Sequence, residues 1–186
     1  MKTVDGRARL LDELDAYVPQ TGHERAMLAR LRAFVSQNPG CFERTHLAGH
    51  VTGSAWIVDR SGSFTLLTHH RKLGRWLQPG GHADGNADVR SVALREAREE
   101  SGLRSLEPAA AGIFDVDVHA IPARAGEPEH LHYDVRFAFF GDPNEAPVAN
   151  QESHAVAWVP IAGLEAFGID DSVRRLAAKT PALVTT

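Results

Sequence analysis

The chain has 186 residues and a net charge of −4, with 43% hydrophobic and 24% charged residues, the balance of a globular protein that builds its own core. Its one cysteine, Cys41, excludes an internal disulfide framework and fits a reducing, cytoplasmic setting. The charged N-terminus reads against a secretory leader, no apolar run is long enough for a membrane span, and the slightly acidic balance makes a nucleic-acid polymer an unexpected partner.

Leu10, Leu11, Leu14, Tyr17 and Val18 recur at helical spacing until Pro19 stops the run. Thr21 with Glu24 makes a capping box for a second helix carrying Met27, Leu28, Leu31, Phe34 and Val35, which Asn38-Pro39-Gly40 ends. Residues 1–45 therefore read as an N-terminal helical extension, packed on the main domain or acting as a dimerisation arm. Residues 46–186 have a different character. Segments 54–59 (SAWIVD) and 64–68 (FTLLT) read as strands joined by a turn at 59–62, and a Gly- and Pro-rich loop covers 73–85. Residues 88–101 form the clearest helix, with Asp88 as N-cap and Gly102 placed to end it. Two alternating segments, 114–120 and 131–140, read as strands with an exposed loop over 122–130. A short strand at 155–159 and a helical tail capped by Asp170 or Asp171 complete the chain. Strands interleaved with few helices predict an α/β fold with a mixed sheet covered by helices.

The informative stretch is GGHADGNADVRSVALREAREESGL, residues 80–103. Glu96, Glu99 and Glu100 are three and four apart, so a helix puts them on one face. Like charges so close to a helix C-terminus repel, and Arg95 and Arg98 offset only part of the cost. A divalent cation offsets it better, and magnesium or manganese prefers carboxylate oxygen. On the helix alone a solvated charged face is the stronger reading. Gly80 and Gly81 just before it change the balance, because they let backbone come close to a ligand.

This string resembles the signature of the Nudix hydrolases. Gly81, Arg95, Glu96, Glu99, Glu100, Gly102 and Leu103 fall in register with it, and Ala97 stands at an aliphatic position. The first signature glutamate is replaced by Ala87; Asp84 and Asp88 flank that position and are the candidates to stand in for it. With the flanking strands and the later Trp segment, the resemblance extends over roughly residues 50–160. It implies a Nudix-like α/β/α sandwich with a central mixed sheet, preceded by the helical extension, and divalent-metal-dependent hydrolysis of a diphosphate linkage in a nucleotide-derived small molecule. It implies that Glu96, Glu99 and Glu100 bind Mg2+ or Mn2+ and that Arg95 orients the carboxylates. Glu152, ahead of Trp158, is the candidate general base, with a signature glutamate as the alternative. A homodimer is a family habit. A catalytically weakened Nudix-like binding or regulatory module is the competing reading, motivated by Ala87.

Further candidates surround the signature. His69, His70, Arg71 and Lys72 form a cationic cluster at a strand end, suited to phosphate or simply solvated. His82 follows Gly81 and reads first as a phosphate contact, with metal contact or loop filling as the alternatives. His130, His132, Asp134 and Arg136 alternate on one strand and Asp115, Asp117 and His119 on the other, so a hairpin puts both polar sets on one sheet face. That face reads as a solvent-facing side or as a substrate-pocket wall with His132 as a contact; zinc binding is the lesser alternative. Trp56 and Trp76 read as packing residues, with stacking on a base the lesser alternative.

Overall fold

The computed structural model describes residues 6–124, 126 and 128–184. The order is α1 (Gly6–Ala16), α2 (Gly22–Gln37), β1 (Gly49–Val58), β2 (Phe64–His70), β3 (Arg75–Leu77), β4 (Gly80–His82), α3 (Val89–Ser101), β5 (Glu107–Pro108), β6 (Asp115–Ile121), β7 (His130–Phe140), β8 (Ser153–Pro160), a 3-10 segment (Ile161–Phe167), α4 (Asp171–Lys179) and the short α5 (Pro181–Val184). Among the described residues no helix is long and apolar enough to cross a membrane.

The eight strands form one mixed sheet ordered β3-β2-β1-β7-β5, with β4 on β1, β6 on β7 and β8 on β2. β1 and β7 run parallel from Gly49 opposite Leu131 to Val58 opposite Phe140; the other pairs are antiparallel. Every residue of β1 is buried, because it is flanked by strands on both edges and covered on both faces. One core gathers Leu10, Leu14, Leu31, Phe34 and Val35 of the N-terminal helices with Val51, Val92, Ala97, Val135 and Phe137. The other gathers Trp56, Val58, Leu67, Val159, Val173 and Leu176 against α4. Two helical layers thus enclose the sheet, the expected α/β/α sandwich. The apolar faces of α1 and α2 are buried inside this chain.

Local signals placed the helix ends well. The Thr21 hydroxyl accepts from the Glu24 N–H at 3.1 Å, Asp88 caps α3 by accepting from the Ser91 N–H, Gly102 ends it at φ 73°, and Asp170 caps α4. Strand limits differ more. β1 begins at Gly49 rather than at 54, because its first half is fixed by pairing with β7. The expected loop at 73–85 contains β3 and β4, held by β2 and β1 respectively. Of the expected loop at 122–130, residues 125 and 127 lie outside the described residues.

The β6–β7 register sets Asp115 opposite Arg136, Asp117 opposite Asp134 and His119 opposite His132, so both polar sets do share one face. That face is not uniformly a solvent side or a pocket wall. Its lower half is a buried ionic network. Arg136, 2% exposed, donates to Asp134 at 2.7 Å and to Asp115 and Asp117 at 3.1 Å. Arg175 reaches Asp115 at 2.9 Å and Asp117 at 3.1 Å. Lys179 bridges Asp115 at 3.0 Å and Glu24 at 3.1 Å, tying α4 to α2 through the sheet. Burial alone would raise the Asp117 carboxyl, but the Arg136 and Arg175 cations outweigh it and hold it near 2. Only the upper half, with His119, His130 and His132, faces open space.

Candidate active site

Two glycines set the geometry at the start of the α3 loop. A Cβ on Gly80 would lie 2.3 Å from the Ser54 hydroxyl, and one on Gly81 would lie 2.5 Å from the Glu96 carboxyl carbon. β4 therefore slides directly under the helix carboxylates, an approach that any side chain would block. The Gly80 N–H donates to Glu100 at 2.9 Å. Arg95 donates to the Glu96 carboxylate at 2.6 Å and to the His82 carbonyl at 3.0 Å, locking Glu96 to the loop.

Glu96, Glu99 and Glu100 all line one cavity of about 590 Å³. Glu100 is 5% exposed, Glu96 half-buried and Glu99 exposed. Burial pushes the Glu100 carboxyl up to about 7; the charges of Glu96 and Glu152 add to the rise, and the Gly80 N–H opposes it. Burial also raises Glu96, with the charges of Glu99 and Glu152 adding, against the opposing pull of Arg95. This is a set of anionic oxygens short of positive charge, the donor set that a hard divalent cation satisfies.

The same cavity brings together Gly81, His82, Arg95, His70, His132 and Glu152. Glu152 stands across from the helix on the segment entering β8, as an exposed carboxylate. Arg71 is not brought in: its guanidinium is held by the carbonyls of Gln151 at 3.0 Å and Ser153 at 3.2 Å. Its neighbour Lys72 does line the cavity. Trp56 is buried, donating to Thr180 at 2.9 Å, and Trp76 stacks on His69 at 5.1 Å, so both are packing residues. Lining groups that carried no sequence signal include Arg44, Arg124 and Asn150. They come from short connecting segments, where neither periodicity nor a motif marks them.

The position of the missing glutamate has a structural cause. Ala87 is half-buried and packs on the core, and a Cβ on Gly6 would lie 2.2 Å from the Ala87 Cβ. The start of α1 occupies the space that a longer side chain at 87 needs. The flanking aspartates do not take over as free carboxylates. Asp84 is paired with Arg44 at 2.6 Å, which holds its carboxyl low, and Asp88 caps α3 and meets Arg9 at 3.1 Å. Ala87→Glu is accordingly expected to cost about 2 kcal/mol through overpacking and to lower Tm by roughly 6 °C. An unchanged Tm in thermal unfolding would show that α1 swings aside freely.

Comparisons with known proteins agree with this geometry. The profile described as the NUDIX domain matches residues 49–179. An uncharacterized Nudix hydrolase of Bacillus subtilis (strain 168), YvcI, is 37% identical over 49 residues, which are 26% of this chain and 31% of that protein. The chain thus matches about a third of the length of that curated relative. Among solved structures, a C. elegans Ap4A hydrolase in a binary complex superposes with TM-score 0.55 at 15% identity, over 72% of this chain and 96% of that one. The MutT protein of Methanosarcina mazei Go1 superposes with TM-score 0.53 at 17% identity, over 76% and 99%. At such identities these two show a shared fold.

Proposed function

The chain belongs to the Nudix family, and from that premise we propose that it is a pyrophosphohydrolase, cleaving a diphosphate linkage in a nucleotide-derived small molecule with Mg2+ or Mn2+. The observation that carries the reading is the convergence of Glu96, Glu99 and Glu100 on one cavity, with Glu100 buried and short of counter-charge. These three side chains would hold the cation. When bound, it neutralises diphosphate charge and polarises the phosphorus centre to attack.

The chain's own groups supply the rest. Gly80 and Gly81 let β4 lie close beneath the carboxylates and bring its backbone to the cavity wall. Lys72, Arg124, His70 and His82 line the same cavity as the carboxylates and offer donors to phosphate oxygens. Arg95 keeps Glu96 in place and need not touch substrate. Glu152, exposed and within electrostatic reach of Glu96 and Glu100, would take the proton of the attacking water. Most of the rate advantage then comes from positioning and charge neutralisation, as phosphoryl transfer requires.

A panel of nucleoside triphosphates, nucleotide sugars and dinucleoside polyphosphates tests the reading, with release of phosphate or mononucleotide as the readout. Turnover of at least one class, dependent on added Mg2+ or Mn2+ and abolished by chelator, is the expected result. Tight nucleotide binding without turnover would favour the competing reading, a regulatory module that keeps the fold, for which Ala87 is the motivating feature.

A further inference from the structure

Five histidines from four strands meet at one end of the cavity. His50 comes from β1, His82 from β4, His119 from β6, and His130 and His132 from β7. The parallel register sets His50 beside His132, and the antiparallel hairpin sets His119 on its other side. Ring centroids lie 5.0 Å apart for His50–His130 and His50–His132, 5.2 Å for His130–His132, and 5.1 Å for His82–His132. The nest runs from open space at His119 down to a buried imidazole at His50. His50 is 4% exposed, and neither of its ring nitrogens completes a hydrogen bond, although the His46 backbone lies near enough to raise its basicity somewhat. A buried polar group without a partner is costly and points to an absent water or ion.

From this geometry we propose that His50, His130 and His132 form a binding site for a transition-metal ion of the zinc class, distinct from the carboxylate site. One donor nitrogen from each lies within 4.8 Å of the others. The His130 and His132 Nε2 atoms are 3.3 Å apart, which is the edge of a tetrahedron whose centre lies about 2.0–2.1 Å from each nitrogen. The His130 Nδ1 stands 2.9 Å from the Pro128 carbonyl. Donation there fixes the tautomer and leaves Nε2 with its lone pair, the usual outer support of a metal-binding histidine. Three histidines leave a coordination position for a cavity ligand, water or a phosphate oxygen, since His130 and His132 line the same cavity as the glutamates. Donor chemistry separates the two sites: carboxylates select magnesium or manganese, imidazoles select zinc, nickel, copper or iron.

The test uses the full-length protein, stripped with chelator and titrated with Co2+ and then Zn2+. One equivalent of Co2+ is expected to give the visible bands of a low-coordinate nitrogen site, and Zn2+ is expected to abolish them. Glu99→Gln should keep those bands. His130→Ala and His132→Ala should weaken Co2+ binding by more than ~100-fold, beyond what loss of an outer-sphere partner costs. X-ray absorption of the zinc-loaded wild type needs no variant and should show three imidazoles. Bands that survive both histidine substitutions but vanish in Glu99→Gln, or a shell of oxygen ligands only, would overturn the proposal. None of these readouts depends on hydrolysis, so the site and the hydrolase reading stand or fall separately.

Discussion

Glu100→Gln is expected to lower kcat for metal-dependent hydrolysis roughly 10³-fold, about 4 kcal/mol of transition-state stabilisation, with Glu99→Gln close behind. The two substitutions differ in what they do to the fold. Glu99 is exposed, so its loss should leave stability unchanged. Glu100 is buried, and its carboxyl is raised to about 7 from an ordinary 4.5. A raised folded value means the native state binds protons more tightly than the unfolded chain, so this group costs the metal-free protein stability as the pH rises from 4.5 to 7, and the full cost is present above 7. Glutamine removes that charge. Metal-free Glu100→Gln should therefore be at least as heat-stable as wild type at pH 8, while its activity collapses. A large fall in Tm alongside the fall in kcat would mean that Glu100 is structural and would remove the basis for the metal reading. Steady-state kinetics and thermal unfolding on the same samples decide it.

Arg136→Met should destabilise the protein more than any other single change considered, by about 3–5 kcal/mol, because it strands buried carboxylates that had shared one guanidinium. Against the ~5–15 kcal/mol of a typical domain this is a large fraction of the whole. Arg175 and Lys179 remain near Asp115 and Asp117, but Asp134 loses its cation and keeps only the hydroxyls of Thr52 at 2.9 Å and Ser54 at 2.8 Å. Arg136→Lys should rescue only part, since one ammonium cannot fork to three carboxylates. The pH dependence has a definite sign. Asp117 is held near 2, below its ordinary 3.8, so its ion pairs contribute stability above pH 4 that is lost as the pH falls toward 2. The deficit of Arg136→Met relative to wild type should therefore shrink over that window. Urea unfolding at pH 7 and pH 3 measures it, and equal deficits at both would show that the network is not electrostatic in origin.

The two sites also differ in how far a reader of the sequence can see them. Glu96, Glu99 and Glu100 face one way because a helix repeats every 3.6 residues, so thirteen residues of local chain are enough to bring them together. The same locality made Thr21, Asp88, Gly102 and Asp170 readable as helix limits. Lys72 was visible as part of a cationic run, whereas Arg44 and Arg124 were not, because a loop has no period.

The alternation of β6 and β7 told correctly which residues share a face, but not that Asp115, Asp117, Asp134 and Arg136 are sealed while His119, His130 and His132 are open. What covers the lower half is α2 together with α4, whose Arg175 and Lys179 arrive from the far end of the chain. His50 is the extreme case. It sits in a stretch, GHVTGS, whose alternation rests on a single valine between two glycines and so marks a strand only weakly, and becomes a neighbour of His132 only through a parallel pairing of strands distant in sequence. Ala87 follows the same logic, its size set by the contact with α1. The amino-acid order by itself determined the acidic helix, its glycine approach and the mixed α/β character, since these depend on backbone periodicity and local sterics. Tertiary structure alone decided which polar groups are buried, which charges pair and where the histidines meet, because those depend on strand register and layer packing between segments that carry no mark of each other.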